Sequence, residues 1–440
     1  MPLVFSCAFA SGVWSQQRLD VLTLEQVVDM ALANNQALQI QRKAVEISTN
    51  NVFKGNANML PTINLIANSE HSNNNTEVGI RTFTDNPAFL ELEDDAAATT
   101  THSIVVQADY QLLGGFSARY QYRLLQDQQN ISRYQQEVLV NNTILNVSEL
   151  FLEIAKLQAR EELLRENLVI GRDRLTRIED QFQFGKVSGL DVLRAKTDLN
   201  QDQTALDNVL LAKNNLKRDM NFLIGLEPET RYRVSVTYQP PILLPLEELK
   251  EEVQAHNPEL KLNQVGIEAA ENELKLNQSG LYPSLNAFAN YGYLRQENDV
   301  QQVAELENIG YTVGVSFRYN LFNGNRTRNN VQNARINVDA SKLRKEQNAD
   351  QLIAGAIKEQ NNLSILQNQL EREQQNLDTF KESFTRTEER YFNGQATSLD
   401  LRDAQVALLN AQITISDVKA DILRSSLRLE SLKGVLLKEK

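Results

Sequence analysis

The strongest constraint on this chain is that it contains the same unit twice. FQFGKVSGLDVLRAKTDLNQDQ from Phe182 and YFNGQATSLDLRDAQVALLNAQ from Tyr391 align without a gap. Gly185 falls on Gly394, Leu190 on Leu399, Asp191 on Asp400 and Ala195 on Ala404. At the same offset, Leu223 and Gly225 fall on Leu432 and Gly434. Upstream, LTLEQVVDMALANN from Leu22 matches LPLEELKEEVQAHN from Leu244, Leu60-Pro61-Thr62-Ile63-Asn64 matches Tyr282-Pro283-Ser284-Leu285-Asn286, and Tyr110–Gly115 matches Tyr319–Gly324. Matched blocks in one order make a fold of two similar halves. The reading is a leader over 1–15, a first repeat over 16–226, a linker over 227–243 in which Pro240 and Pro241 discourage helix, and a second repeat over 244–440.

Composition narrows the function. A net charge of -12 argues against nucleic acid or an anionic surface as partner. One cysteine, Cys7, excludes an intrachain disulfide, and His71, His102 and His256 stand in no metal-ligand spacing, so no metal or cofactor is expected. The same scarcity rules out Ser-His-Asp and Cys-His catalysis, and Gly185-Lys186 lacks the flanking residues of a phosphate loop. An enzyme is not expected. Pro2–Val13 is apolar and Val13-Trp14-Ser15 resembles a cleavage site, which points to export. Cys7 stands in a poor acylation context, and no run of 18 apolar residues marks a membrane helix.

From about Ser117 to Phe182 and from Arg326 to Phe392 the chain lacks proline and is rich in Gln, Leu, Glu and Ala, which predicts two very long helices. Shorter helices follow the turns at 183–190 and 391–399. In the second, Leu401, Ala404, Leu408, Ala411, Ile415, Val418 and Ile422 recur in steps of three and four, a coiled-coil seam that runs on to Leu429 and Leu432. The matching seam from Val192 to Leu223 has two polar interruptions, Asp202 and Lys213. Four segments instead alternate with period two, at about 61–70, 102–113, 283–295 and 309–322, with one apolar and one polar face. That pattern and length suit outer-membrane strands, with polar loops expected at Glu70–Thr101 and Gln296–Asn308. Four strands cannot close a barrel in lipid, so several copies must share one.

The order of helices, strand pair, long helix, glycine tip and shorter helix, given twice, resembles the TolC-type outer membrane efflux protein family. The resemblance rests on TLEQVVDMALANN, LPTINL, YPSLNA, YQLLGG, YNLFNG and the two tips, and covers nearly the whole mature chain. It implies a mainly α fold with a β-barrel portion: a homotrimer whose twelve strands form one outer-membrane barrel, continued by a periplasmic α-barrel that narrows at the tips. It further implies a passive duct that works with a periplasmic adaptor and an inner-membrane transporter, as in drug efflux, metal efflux or type I secretion. The alternative is an exported soluble coiled-coil scaffold.

The tips hold the candidate residues. Thr397 or Ser398 and, in the first half, Ser188 suit N-caps, which gives Asp400 and Asp191 a local role in the first helical turn. The resemblance adds that Asp400-Leu401-Arg402-Asp403 matches an acidic pattern ringing the constricted entrance, and that Tyr391 matches a tyrosine that holds it shut, with Asp191 as partner. The family's basic tip residue is replaced by Ala396, leaving Lys186 or Arg402 as substitutes. Gly185, Lys186, Val187, Ser188, Gly189 and Leu190, with Gly394, Gln395, Ala396, Thr397, Ser398 and Leu399, form the surface expected to meet the adaptor.

Overall fold

The computed structural model describes residues 21–81, 89–299 and 303–436. The leader, with Cys7 and Trp14, lies outside them. Described elements run β1 (Val21–Leu22), α1 (Leu24–Asn34), α2 (Gln36–Asn51), β2 (Thr62–Arg81), β3 (Phe89–Gly114), α3 (Ser117–Gln183), α4 (Gly189–Ile224) and β4 (Arg233–Val234). The second series is α5 (Leu246–His256), α6 (Pro258–Ser279), β5 (Ser284–Asn298), β6 (Glu305–Arg318), α7 (Arg326–Phe392) and α8 (Ser398–Lys433). The long helices α3 and α7 have 67 residues each, and α4 and α8 have 36 each. At ~1.5 Å per residue, α3 and α7 are each about 100 Å long.

Two compact units emerge. One gathers the described residues of Met1–Lys43, Tyr134–Lys261 and Gln347–Lys440. It is built from two helical hairpins, the larger part of α3 with α4 and the larger part of α7 with α8. Every predicted seam position on α4 and α8 is buried or half-buried, which is what a 3.5-residue period achieves when two helices supercoil. Leu352, Leu363, Leu370, Ile415, Val418, Ile422 and Leu429 form the apolar core of the second hairpin. Val147, Phe151, Ile154, Met220 and Ile224 pack in the first with Leu22, Tyr232 and Val234, where β1 pairs in parallel with β4. One 18-residue window in α3 reaches a mean hydropathy of 1.2, apolar enough for a membrane span, yet 44% of it is buried inside the protein. The window is not an unbroken apolar run, and hydropathy alone does not separate a core helix from a span.

The helix ends explain two matched glycines. α4 and α8 stop at Gly225 and Gly434, with φ 74° and 72°, a region that penalises any Cβ. A Cβ at Gly225 would also lie 2.6 Å from Asn34, and one at Gly434 2.6 Å from the His256 carbonyl oxygen. The short helices α1 and α5 end against these caps. Asn34 Nδ2 donates to the Ile224 carbonyl at 3.0 Å, and Asn257 Nδ2 to the Leu432 carbonyl at 2.8 Å.

The other unit, Ala44–Arg133 and Leu262–Glu346, contains an antiparallel sheet in the order β2-β3-β5-β6. Its register lines side chains into rows across the strands. Ile63, Ala108, Ala289 and Val313 share one row; Leu65, Val106, Tyr291 and Tyr311 the next; Ala67, Ile104, Tyr293 and Ile309 the third. From Leu285 to Tyr293 the apolar face extends about 27 Å along β5 at ~3.4 Å per residue, comparable to the apolar band of an outer-membrane barrel. It is unusually exposed for apolar surface, with Tyr311 at 79% and Leu65 and Val313 at 71%. The opposite face carries Asn64, Gln107, Asn290 and Thr312. Among the described residues, β2 and β6 each keep one free edge.

The strands run past their expected ends. β2 and β3 have 20 and 26 residues and stay paired to Arg81 and Phe89, with a bulge between Asn74 and Thr76, where a long loop from Glu70 was expected. β5 and β6 likewise pair to Glu297 and Glu305. Pairing needs only backbone groups, so it carries on through 69–74, a polar stretch with no period-two trace in hydropathy. β6, by contrast, ends at Arg318, short of the expected 322.

Candidate functional site

Both hairpin tips belong to the first unit and are built alike. In the first, Gly185 N–H donates to the Phe182 carbonyl and Lys186 N–H to the Gln181 carbonyl, at 2.9 and 2.8 Å. In the second, Gly394 N–H donates to Tyr391 and Gln395 N–H to Arg390, at 3.1 and 2.8 Å. These bonds close a Schellman motif, which requires the positive φ of Gly185 (70°) and Gly394 (72°). Neither glycine would meet an atom within 4 Å of an added Cβ, so backbone conformation, not space, demands it.

Capping boxes follow. Ser188 N–H and Oγ–H donate to Asp191 Oδ2 at 3.0 and 2.7 Å, while Asp191 N–H returns to Ser188 Oγ at 3.4 Å. Thr397 and Asp400 repeat the pattern at 2.8, 2.7 and 3.2 Å. Thr397, not Ser398, is therefore the N-cap. The cap hydroxyl and then the cap backbone N–H hold both carboxyls below the usual carboxylate range. Asp403, one turn on, is exposed and has no hydrogen bond or ion pair among the described residues. Asp191 instead has Arg194 at 3.9 Å.

Tyr391 is buried to 7% exposure, and its phenol oxygen meets no hydrogen-bonding partner. Burial raises its pKa despite the opposing charges of Arg177 and Arg174. It lines a cavity of about 480 Å³ between the tips with Ile178, Lys186, Asp191 and Leu399. The expected link to Asp191 is not made within the chain, because that carboxylate is occupied by Ser188 and Arg194.

Arg402 is not a free tip cation. Its guanidinium grips Asp202 through two bonds of 2.7 Å and sits 3.9 Å from Asp198. Burial works against the charge, but Asp202 and Asp198 outweigh it and raise the pKa. Arg174, nearly buried, bonds Asp198 at 2.7 Å and reaches the Ser398 carbonyl at 3.5 Å. The contact between the hairpins continues as polar rungs: Asn167 with Gln405, Lys156 with Asp417, Glu153 with Arg424, Glu149 with Arg428 and Asn141 with Ser431. Lys186 is exposed and remains the available tip cation.

Asp202 and Lys213 therefore carry roles that the sequence reading passed over as seam interruptions. Asp202 receives Arg402 from the other hairpin, and Lys213 pairs with Glu161 within its own. The available signal was a charged residue at a seam position whose repeat partner is apolar: Ala411 matches Asp202 and Ile422 matches Lys213.

Comparison with known proteins fits this architecture. The family described as "Outer membrane efflux protein" matches residues 27–226 and 249–435, both repeats. "Outer membrane protein TolC" of Vibrio cholerae is 24% identical over 309 residues, 67% of this chain and 68% of that one. Among solved structures, the outer membrane protein VceC of Vibrio cholerae aligns with a TM-score of 0.74 at 16% identity, over 93% of this chain and 96% of that chain. The CmeC outer membrane channel of Campylobacter jejuni aligns at 0.76 and 17%, over 94% and 85%. At these identities the structures speak to fold alone, and the fold is that of outer membrane channels.

Proposed function

Because the chain belongs to the outer membrane efflux protein family, we propose that it is the exit duct of a tripartite efflux or type I secretion system, passively conducting cargo delivered by an inner-membrane transporter and a periplasmic adaptor. Its place is the outer membrane and its class is an efflux channel, not an enzyme. The observation that carries the duct reading is the sheet of β2, β3, β5 and β6, with an exposed apolar band on one face, a polar opposite face and two unpaired edges. Edges cannot face lipid, so copies must join edge to edge around a polar lumen. Three copies give twelve strands, enough to close one barrel, and the hairpin tips are the candidate entrance.

Within this reading the two acidic residues divide their work. Asp400 caps α8, and Asp403, unpaired, supplies the carboxylate that sets the field at the aperture. Tyr391 helps keep the entrance shut from its buried place between the tips, while Arg402 and Asp202 hold the chain's own hairpins together. The exposed residues of Gly185–Leu190 and Gly394–Leu399 are the adaptor surface.

Single-channel current from the purified trimer in a planar bilayer tests the reading. Discrete cation-selective steps are expected, with selectivity falling further in Asp403→Asn than in Asp400→Asn. Protein that gives no steps and leaves the membrane on carbonate extraction would favour the soluble scaffold instead.

A further inference from the structure

The fold brings together two histidines that the sequence keeps apart. The β2–β3 register sets His102 opposite Ser69 and Thr100 opposite His71, so both imidazoles stand on one face, on adjacent strands, one diagonal step apart. Both are exposed. Each Nδ1 lies within hydrogen-bond distance of the hydroxyl across from it, His102 to Ser69 Oγ at 3.0 Å and His71 to Thr100 Oγ1 at 2.9 Å. With Nδ1–H donating to the hydroxyl, Nε2 keeps its lone pair, the tautomer and orientation that a metal ligand needs. From this geometry we infer that His71 and His102 together bind a divalent transition-metal cation.

The surroundings favour a dication. On the same face, Arg295 stands opposite His102 and Glu297 opposite Thr100, with Glu307 and Glu305 beyond them on β6. Arg295 is held by Glu297 at 2.7 Å and Glu305 at 3.0 Å, so its charge is compensated and Glu307 remains in excess. Among the described residues no third His, Cys, Asp or Glu converges on the pair, so water completes the coordination sphere. Two imidazoles and water suit Zn2+, Ni2+ or Cu2+, not Ca2+ or Mg2+, which take oxygen ligands. The site lies just beyond the tyrosine-bearing rows of the apolar face, not on the polar face, so it is not a stop for conducted cargo. It spans the base of the β2–β3 ribbon, near where β3 loses its last β5 partner at Thr99 and below the bulge at Asn74. A bound metal there staples the two strands.

Isothermal titration of the untagged full chain in detergent with Ni2+ and Zn2+ tests this. A single saturable site per chain is expected, weakened about tenfold or more in either His71→Ala or His102→Ala. The double variant should weaken it little further, because one imidazole alone does not chelate. His256→Ala should bind like the parent. Thermal unfolding of each variant without metal confirms that it folds. Parent protein with no saturable binding, or unchanged binding in both single variants, would overturn the site and leave the duct reading untouched.

Discussion

The two hairpins share a backbone and differ in what they place along it. Both have Schellman turns, capping boxes and glycine C-caps at matching positions. Yet Glu161 and Lys213, an ion pair in the first, correspond to Leu370 and Ile422, members of one apolar cluster in the second. Leu193, exposed in the first, corresponds to Arg402, which reaches into the first hairpin to grip Asp202. At the tip, Arg194 corresponds to the unpaired Asp403. Repetition has kept the geometry while charge has been redistributed, so that the second hairpin is apolar where the first holds the Glu161–Lys213 pair, and the first offers it polar sockets. An apolar interior holds α7 to α8 without regard to salt, whereas the polar contact between hairpins depends on partners staying matched.

Arg402→Leu, which gives the second hairpin the first hairpin's residue, should have the largest effect. It strands Asp202, whose side chain is 11% exposed, and should cost about 3 kcal/mol. Asp202→Ala in the same chain should recover most of that loss, read as the helix melting temperature of the detergent-solubilised protein. A double variant no more stable than the single would mean that the pair is not coupled.

Next comes Lys213→Ile, the second hairpin's residue in the first. It leaves Glu161 with Arg165 alone and should cost about 2 kcal/mol, the partial exposure of the pair moderating the loss. In the native chain, partial burial pushes the Glu161 carboxyl up, but bonds from Lys213 and Arg165 prevail and hold it low. Lys213→Ile with Glu161→Leu, which installs the second hairpin's pairing, should match or exceed the parent. If the double variant is the least stable of the three, the hairpins differ in packing as well as charge.

What the sequence reveals follows from the range of each interaction. Helix period, strand alternation, capping residues and glycine turns are local, and the heptad seams from Val192 and Leu401 are buried as the spacing requires. Arg402 and Asp202 lie 200 residues apart, and only the packing of one hairpin on the other joins them. His71 and His102 needed a register that no spacing rule supplies. The extension of β2 and β3 was hidden because the stretch 69–74 is polar throughout and interrupts the alternation. At the tip, the sequence set Asp400 beside an N-cap but did not choose between Thr397 and Ser398; the structure chooses Thr397.

The caps give a smaller, pH-dependent effect shared by both hairpins. Asp191 and Asp400 have folded-state pKa values below the usual range. A depressed carboxylate stabilises the folded tip above the unfolded value of ~3.9, and that contribution is lost as pH falls from there through the folded value. Both tips should stay capped at neutral pH and fray below about pH 4. Hydrogen exchange at the Leu190–Leu193 and Leu399–Arg402 amides, corrected for intrinsic rates, should report this together in both tips. In Asp191→Asn only the first tip should lose the pH dependence; loss in both would mean that the tips do not fray independently.

Arg194→Asp should disturb stability least and test the asymmetry between the tips. Arg194 is 61% exposed in its side chain and only 3.9 Å from Asp191, so removing it forfeits a weak surface pair. The variant gives the first hairpin a carboxylate where the second has Asp403. If the second hairpin alone lines the narrowest point, cation selectivity in the bilayer should stay at the parent value, because charges farther from that point than a Debye length (~8 Å at physiological salt) are largely screened. That unchanged selectivity is the expected result. A rise comparable to the fall seen in Asp403→Asn would instead place both tips at the constriction, and the divergence between Arg194 and Asp403 would then be a balance of charge around one ring, not a division of labour between two hairpins.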